Sequence, residues 1–578
     1  MKKWAAPGTQ AVPGECEIRL HHRPAAFFPP PSLAMATERT PLVAKAPEEA
    51  SRLDFALLMT GIWSAVFISS LDATVVATLI STIGSSLKSM QLSSWIGTSY
   101  LLSLCAFTPI YGRLANIVGR RPSILFSIVV FGGGTALCGF ATTMSQLIAF
   151  RALAGIGGAG ITVIGSVIVS DSVPLKSRGL YQGFTNLLFG LGGAIGAPLG
   201  GWLGDTIGWR AAFLCQSPFL VLAAVLLHLK TREPAVVLAA RGGSISAKLK
   251  RVDYAGSVSL ILALLSALVG LNYKSTGAYG WDDAHVWGLL SAGFVSACVF
   301  VSIESKFAIE PVMPIIMLKR RTPGFVALNN FVLAVLTFST TYNTPLYFTA
   351  ARLRTATNAG AHLIPNSVAV SIGSLFAGWY MRKTGRYWRL QALACLGVVA
   401  ANLALSSWNM ETPEWVLYAT LIPSGFGFAA TLTTTLLALI ASVPQDEIPL
   451  ATGLSYLFRT TGQVLGVSLS AALTQTLLAR NLRARITGPD ADETIAKILA
   501  STTYIRTLPP PLQEQATASW LGALHTVFCC QIGLAAAMFL SALPIEEREL
   551  PDTVGGGEPV KRTLPDVEGA AGPARRDS

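Results

Sequence analysis

Residues 69 to 80 read SSLDATVVATLI and close an apolar run that begins at Phe55. Asp72 stands inside that run, away from either end. A carboxylate at mid-membrane costs roughly 2.5–3.5 kcal/mol even on insertion-based scales, so an acid kept there is a functional candidate. Arg151, in the run LIAFRALAGIGGAGITVIG, is a cation in similar surroundings. Counted from the end of the first run near Ile80, Asp72 lies about eight residues in, ~12 Å deep. Counted from Gln146, Arg151 lies about five residues in, ~8 Å deep. Those depths allow a pair, direct or through water. Burial disfavours the charged carboxylate, while a guanidinium favours it. An acid that alternates between the two influences can take up and release a proton. The plain alternatives are an Asp72 that only hydrogen-bonds nearby backbone and an Arg151 that snorkels to the interface.

The remaining acids sharpen this reading. Asp54, Asp171, Asp205, Asp253 and Glu304 fall at the ends of apolar runs, and the last six runs hold no deep carboxylate. If the protein couples to protons through an acid, Asp72 is nearly the only candidate, and it would also be the obvious partner for a cationic substrate. Proton and substrate would then compete for one carboxylate, which is a simple route to antiport. Arg459, in YLFRTTGQVLG, is another charge inside an apolar run. It either snorkels or binds a substrate carboxylate. Asn186, Asn329, Asn330, Tyr342, Asn343, Asn366 and Gln463 are candidate cavity residues, with interhelical hydrogen bonding as the alternative for each. His228, His285, His362 and His525 show no partner pattern.

The elements that hold these residues follow from composition. The chain has 578 residues, of which 52% are hydrophobic and only 13% charged. A soluble surface needs about 25% charge; the mean hydropathy of +0.53 instead indicates a polytopic membrane protein. The net charge of +12 sits in short turns between apolar runs and reads as a topology signal, not a nucleic-acid surface. Seven of the eight cysteines lie in apolar runs without metal or redox spacing. No metal or cofactor is expected, and no nucleophile–base set suggests an enzyme.

Spanning helices need about 20 apolar residues. Candidates lie near 55–80, 93–115, 123–143, 146–170, 180–204, 211–229, 254–273, 285–303, 325–349, 359–381, 389–408, 415–442, 453–478 and 520–543, about fourteen in all. Placing the basic turns in the cytoplasm puts both termini there. Segment 479–519 reads as a long loop of mixed charge on the other side.

An internal repeat adds architecture. Gly112 is followed after six residues by Gly119-Arg120, and Gly378 after six residues by Gly385-Arg386. Each lies in the second turn, a basic one, of a six-span set, which predicts two halves with two spans inserted between them, around a midplane site. The expected divisions are a disordered cytoplasmic tail at 1–51, a six-helix half at 52–230, a linker with two inserted helices at 231–322, a second half at 323–543 and a disordered cytoplasmic tail at 544–578. GIGGAG (155–160) matches a nucleotide-binding glycine pattern, but inside a span it reads as helix packing. The same holds for Gly193, Gly196, Gly200 and Gly201, with Pro198 as a candidate hinge.

GRLANIVGRRP resembles the major facilitator signature between its second and third helices. RALAGIGGAG and GLGGAIGAPLGG resemble the family's fourth-helix and antiporter patterns. LDATVV and GDTIGWRAAF resemble the fourteen-span drug:proton antiporter branch. WIGTSYLL and VSDSVPLKSRGLYQG are similar to fungal vacuolar basic amino acid transporters. The resemblance implies an all-α fold, alternating access and proton-coupled antiport. It also implies a cytoplasmic gate at Gly112, Arg113, Asn116, Gly119, Arg120 and Arg121. Asn116 stands where the family signature has Asp, so this gate lacks that anion. The implied partners are protons, a small cationic substrate and the bilayer. Basic amino acid uptake into the vacuole is the leading expectation. Drug or toxin efflux at the plasma membrane is the alternative, and a non-transporting nutrient sensor a further one. ERTPLV (38–43) resembles an acidic dileucine sorting signal, and Met35 is a candidate start. The first twenty residues lack the apolar core of a signal peptide.

Overall fold

A computed structural model describes residues 52–548, apart from 90, 91, 93, 232–252, 276–282, 308–311, 313, 314, 355, 488, 489 and 501. Residues 1–51 and 549–578 of the expected tails, the sorting motif, Met35 and most of the basic linker after Lys230 lie outside the described residues. Residues 544–548, assigned to the second tail, instead pack on the second set: Ile545 is buried and the Tyr387 hydroxyl donates to the Glu546 carbonyl over 2.6 Å.

The described chain is helical. The first six spans are α1 (Arg52–Ser86), α2 (Ser94–Ile117), α3 (Arg120–Phe140), α4 (Met144–Ser172), α5 (Leu175–Thr206), and the pair α6 (Trp209–Leu214) and α7 (Ser217–Lys230). Two inserted helices follow, α8 (Tyr254–Ser275) and α9 (Ala284–Lys306), and then the short α10 (Ile315–Lys319). The second set is α11 (Arg321–Leu346), the short α12 (Ala356–Ala361), α13 (Ile364–Thr384), α14 (Trp388–Ser406), α15 (Glu414–Ser442), α16 (Ile448–Arg485), the short α17 (Ala491–Ala500) and α18 (Pro510–Ala542).

Thirteen segments among the described residues are long and apolar enough to cross a membrane. The expected fourteenth is α2. Its 24 residues span ~36 Å, but Pro109, Arg113, Asn116 and its hydroxyls dilute its apolar character.

Helix ends match their local chemistry. Thr143 caps α4 by accepting from the Gln146 amide. Gly119 precedes α3 at φ 114° and Gly385 ends α13 at φ 68°, both in the region that side chains disfavour. These are the second glycines of the two repeats, where the chain reverses.

Within the first set α1 packs on α5 and α7, and α4 on α2 and α3. Within the second α11 packs on α16 and α18, and α15 on α13 and α14. The sets meet through α2 against α16 and α5 against α13, the pairing of a two-fold relation. The inserted α8 and α9 form a hairpin, with α8 lying on α2 and α16.

Segment 479–519 is not the loop that its polarity suggested. Helix α16 continues to Arg485, and α17 and a 3-10 turn follow. Ile486, Ile495, Ile498 and Ile505 pack with Trp408 and Trp520 into a buried cluster. Alternating charge hid an apolar stripe that caps one end of the second set.

Candidate functional site

Asp72 and Arg151 meet. Nη1 of Arg151 donates to Oδ2 of Asp72 over 2.6 Å, with side-chain exposures of 1% and 0%. Their depths differ from the sequence estimate because α1 runs on to Ser86 and α4 starts at Met144. The last turns of α1 project past the start of α4, so the pairing holds. Three further groups complete the environment. Nε of Arg151 donates to the Ile96 carbonyl over 3.4 Å. The guanidinium lies 4.5 Å from the centroid of the Tyr100 ring. Nε2 of Gln216 donates to Oδ1 of Asp72 over 3.4 Å and to the Ala212 carbonyl over 2.9 Å. Tyr100 and Gln216 were not anticipated. Their one signal was a polar side chain inside an apolar run, as in TSYLL and LCQSP. A buried ion pair repays its desolvation only when geometry and extra hydrogen bonds are good; here the pair itself is short and the two flanking hydrogen bonds are long, at 3.4 Å. Of the carboxylates whose side chains are described, only Asp72 and Glu304 are buried, and Glu304 lies in the last turn of α9.

The two sets are sealed together at the end that carries the basic turns. A Cβ on Gly112 would stand 2.7 Å from the Pro449 carbonyl and 3.2 Å from Gly453. A Cβ on Gly378 would stand 2.5 Å from the Gly179 carbonyl. The first glycines of the two repeats thus occupy corresponding contacts, α2 on α16 and α13 on α5. Nδ2 of Asn116 donates to the Asp446 carbonyl across the seam over 3.0 Å. Oδ1 of Asn116 accepts from Arg120 over 3.0 Å, and Arg120 pairs with Asp171 at 3.1 Å. A guanidinium only donates and a carbonyl only accepts, so the amide needs both of its ends. A carboxylate at 116 would serve Arg120 but not the carbonyl. Arg113 and Arg121 flank this network, half-buried.

Farther from the basic end, two narrow cavities lie between the sets. One, about 10 Å³, is lined by Gln182, Asn186, Asn330, Ser455, Tyr456 and Arg459 with two leucines. The other, about 30 Å³, adds Val66, Ser69, Thr162, Thr185 and Phe189 around Gln182, Asn186, Tyr456 and Arg459. Asn186, Asn330 and Arg459 are the anticipated residues here. Asn186 also bonds Ser374 across the seam over 2.9 Å. Gln182, Tyr456 and Ser69 were missed. The glutamine and tyrosine stand within a few residues of Asn186 and Arg459, on the same helices.

Other candidates lie elsewhere. Asn329 donates to the Met538 carbonyl and to Ser541 on α18. Asn343 joins the Ser339 carbonyl and Thr474. Both hold helices together. Tyr342 is partly exposed, Asn366 packs its backbone against Gly425, and Gln463 is half-buried; none of the three lines either cavity. His362, to which the sequence assigned nothing, is buried between the Phe348 and Tyr418 rings and lies 3.0 Å from Glu414. Neither cavity's lining includes Asp72.

The α5 glycines divide. A Cβ at Gly196 or Gly200 would collide with α1 at Leu71 or Val75. One at Gly193 would make ordinary contact, and one at Gly201 would meet nothing. Helix α5 continues through Pro198. In α4, Gly157 lies so close to Ser127 and Phe131 that only glycine fits, as expected for packing.

The profile of the Major Facilitator Superfamily matches residues 62–467. The chain is 36% identical to the multidrug resistance protein fnx1 of Schizosaccharomyces pombe, over 89% of this chain and 97% of that relative. It is 32% identical to the vacuolar membrane amino acid uptake transporter fnx2 of the same yeast, over 84% and 83%. Relatives of both kinds stand at similar identity, so the resemblance to vacuolar amino acid transporters does not single out that group. The human organic anion transporter MFSD10 has the same fold, at TM-score 0.55 and 14% identity, covering 86% of this chain and 100% of that one. A profile match across most of the chain, a relative matched nearly end to end and the two-set helical architecture agree: this chain belongs to the Major Facilitator Superfamily and is a multi-pass membrane transporter.

Proposed function

We propose that the protein is a proton-coupled antiporter that clears a small organic molecule from the cytoplasm by alternating access. The observation that carries this reading is the Asp72–Arg151 pair, held away from solvent with good geometry. Protonating Asp72 removes the counter-charge of a buried guanidinium, so the pair cannot change state without moving its surroundings. Tyr100 connects that change to the cavity. Its hydroxyl lies 3.3 Å from Oγ of Ser69, which lines the larger central cavity. The basic turns face the cytoplasm in this reading, and the seal at Gly112, Asn116 and Gly378 is the closed cytoplasmic gate.

Export of drugs or toxins is the first destination to test, because fnx1 is named for multidrug resistance and is matched nearly end to end. Uptake of amino acids into the vacuole is the second, supported by the name of fnx2. Both remove the solute from the cytoplasm, so one experiment serves both. The full-length protein is reconstituted in liposomes with an acidic interior. Accumulation of ethidium and of labelled arginine, lysine and histidine is followed with and without a protonophore. Gradient-dependent accumulation of any of these is the expected result. Equal movement with and without the gradient for all of them would reject proton coupling.

A further inference from the structure

Helix α16 begins at Ile448, so Arg459 lies eleven residues in, ~16 Å along the helix. That is about half the ~30 Å hydrocarbon thickness. Its guanidinium sits 5.2 Å from the centroid of the Tyr456 ring. Its Nε is buried and has no hydrogen-bond acceptor. Among the described residues no carboxylate pairs with it; its polar neighbour is the side chain of Tyr456, which is neutral. Arg151, the other guanidinium at depth, has Asp72, a backbone carbonyl and an aromatic face. The contrast is the finding: one deep arginine has a buried carboxylate beside it and the other, among the described residues, has none.

The surroundings of Arg459 say what would match it. Both central cavities include it. Every other polar lining group is neutral: Gln182, Asn186, Asn330 and the hydroxyls of Ser69, Thr162, Thr185, Ser455 and Tyr456. Such a lining offers donors and one positive charge. A carboxylate satisfies both, and its two oxygens fit the fork of a guanidinium. A cation without a carboxylate would enter beside an unscreened positive charge.

We propose that Arg459 is the subsite for a carboxylate on the cargo, so that the transported molecule is a carboxylate-bearing small solute of amino-acid type. This rests on the antiport reading above. It assigns the cargo's charge to a residue other than the proton site: Asp72 is occupied by Arg151 and lines neither cavity. Proton and cargo then communicate through Ser69 and Tyr100 instead of competing for one acid. The central cavities, about 10 and 30 Å³, are too small for such a solute, so the carboxylate reaches Arg459 only when the two sets part.

Matched pairs that differ by one carboxylate test this directly: arginine with agmatine, lysine with cadaverine, histidine with histamine, tyrosine with tyramine. Competition by each is measured in proteoliposomes containing the full-length protein, against whichever of ethidium or labelled amino acid the protein accumulates. At least one amino acid should compete tenfold or more better than its amine. R459Q should erase that preference and R459K should keep part of it, in protein that remains monodisperse on size exclusion. Amines competing as well as their amino acids, or no amino acid competing at all, would overturn the proposal. An unchanged preference in R459Q would also overturn it. Gradient-driven ethidium transport that ignores every carboxylate would sink this inference while leaving antiport standing. No gradient-driven transport of any solute would sink the antiport reading itself.

Discussion

Asn116 and Asp446 join the two helical sets through one hydrogen bond, from a side-chain amide to a main-chain carbonyl, over 3.0 Å. Asp446 takes part with its backbone, so the identity of its side chain is irrelevant to the contact. The amide of Asn116 is not, because its other end is held by Arg120.

Asn116→Asp should therefore weaken the seal instead of strengthening it. The new carboxylate would keep Arg120 but face the Asp446 carbonyl oxygen without a proton to give. Loss of one neutral hydrogen bond, ~1 kcal/mol, corresponds to roughly a fivefold shift toward the state open at the basic end. Spin labels on the basic ends of α2 and α16 would read this as a longer distance population. An unchanged distribution would show that the bond does not hold the gate.

The repeat glycines should act on the same equilibrium. Gly378→Ala places a methyl 2.5 Å from a backbone oxygen that cannot rotate away, and Gly112→Ala one at 2.7 Å. Both should favour the parted state. Gly201→Ala, where a Cβ meets nothing, should leave it unchanged and slightly stabilise α5. The same spin-label distances, with thermal unfolding in detergent, separate these outcomes.

Removing one member of the buried pair should be costly. Arg151→Gln leaves Asp72 charged and unpaired, a loss of about 3–5 kcal/mol for this class of change. Adding Asp72→Asn should recover a good part of it. A double-mutant cycle on thermal stability checks this, and additive losses would mean that the two side chains do not act as a pair.

Tyr100→Phe keeps the ring under the guanidinium and removes only the hydroxyl that meets Ser69. Folding should be retained and exchange of solute down its gradient should continue. Gradient-driven accumulation should fall several-fold. Full accumulation would detach Ser69 and Tyr100 from coupling.

Much of this fold was legible because spans are long apolar runs that no soluble protein keeps. The Asp72–Arg151 pair was legible because charge in such a run is rare. What stayed hidden depends on which way a helix turns. Asn329 and Asn330 are adjacent in sequence, yet one bonds α18 and the other lines a cavity. Gly193 and Gly196 stand three residues apart, and only the second touches the α1 backbone closely. The buried segment after Arg485 was hidden for another reason: its isoleucines alternate with charge and resemble a solvated loop until they are folded against Trp520.

The most direct test of proton coupling at Asp72 compares two modes of transport in one preparation. Wild type and Asp72→Asn are reconstituted side by side, and solute counterflow at equal pH is measured beside accumulation driven by an acidic interior. Counterflow needs alternating access but no net proton movement. Asp72→Asn should retain counterflow within a few-fold of wild type and lose gradient-driven accumulation. Accumulation by Asp72→Asn that matches wild type would show that the proton is carried elsewhere.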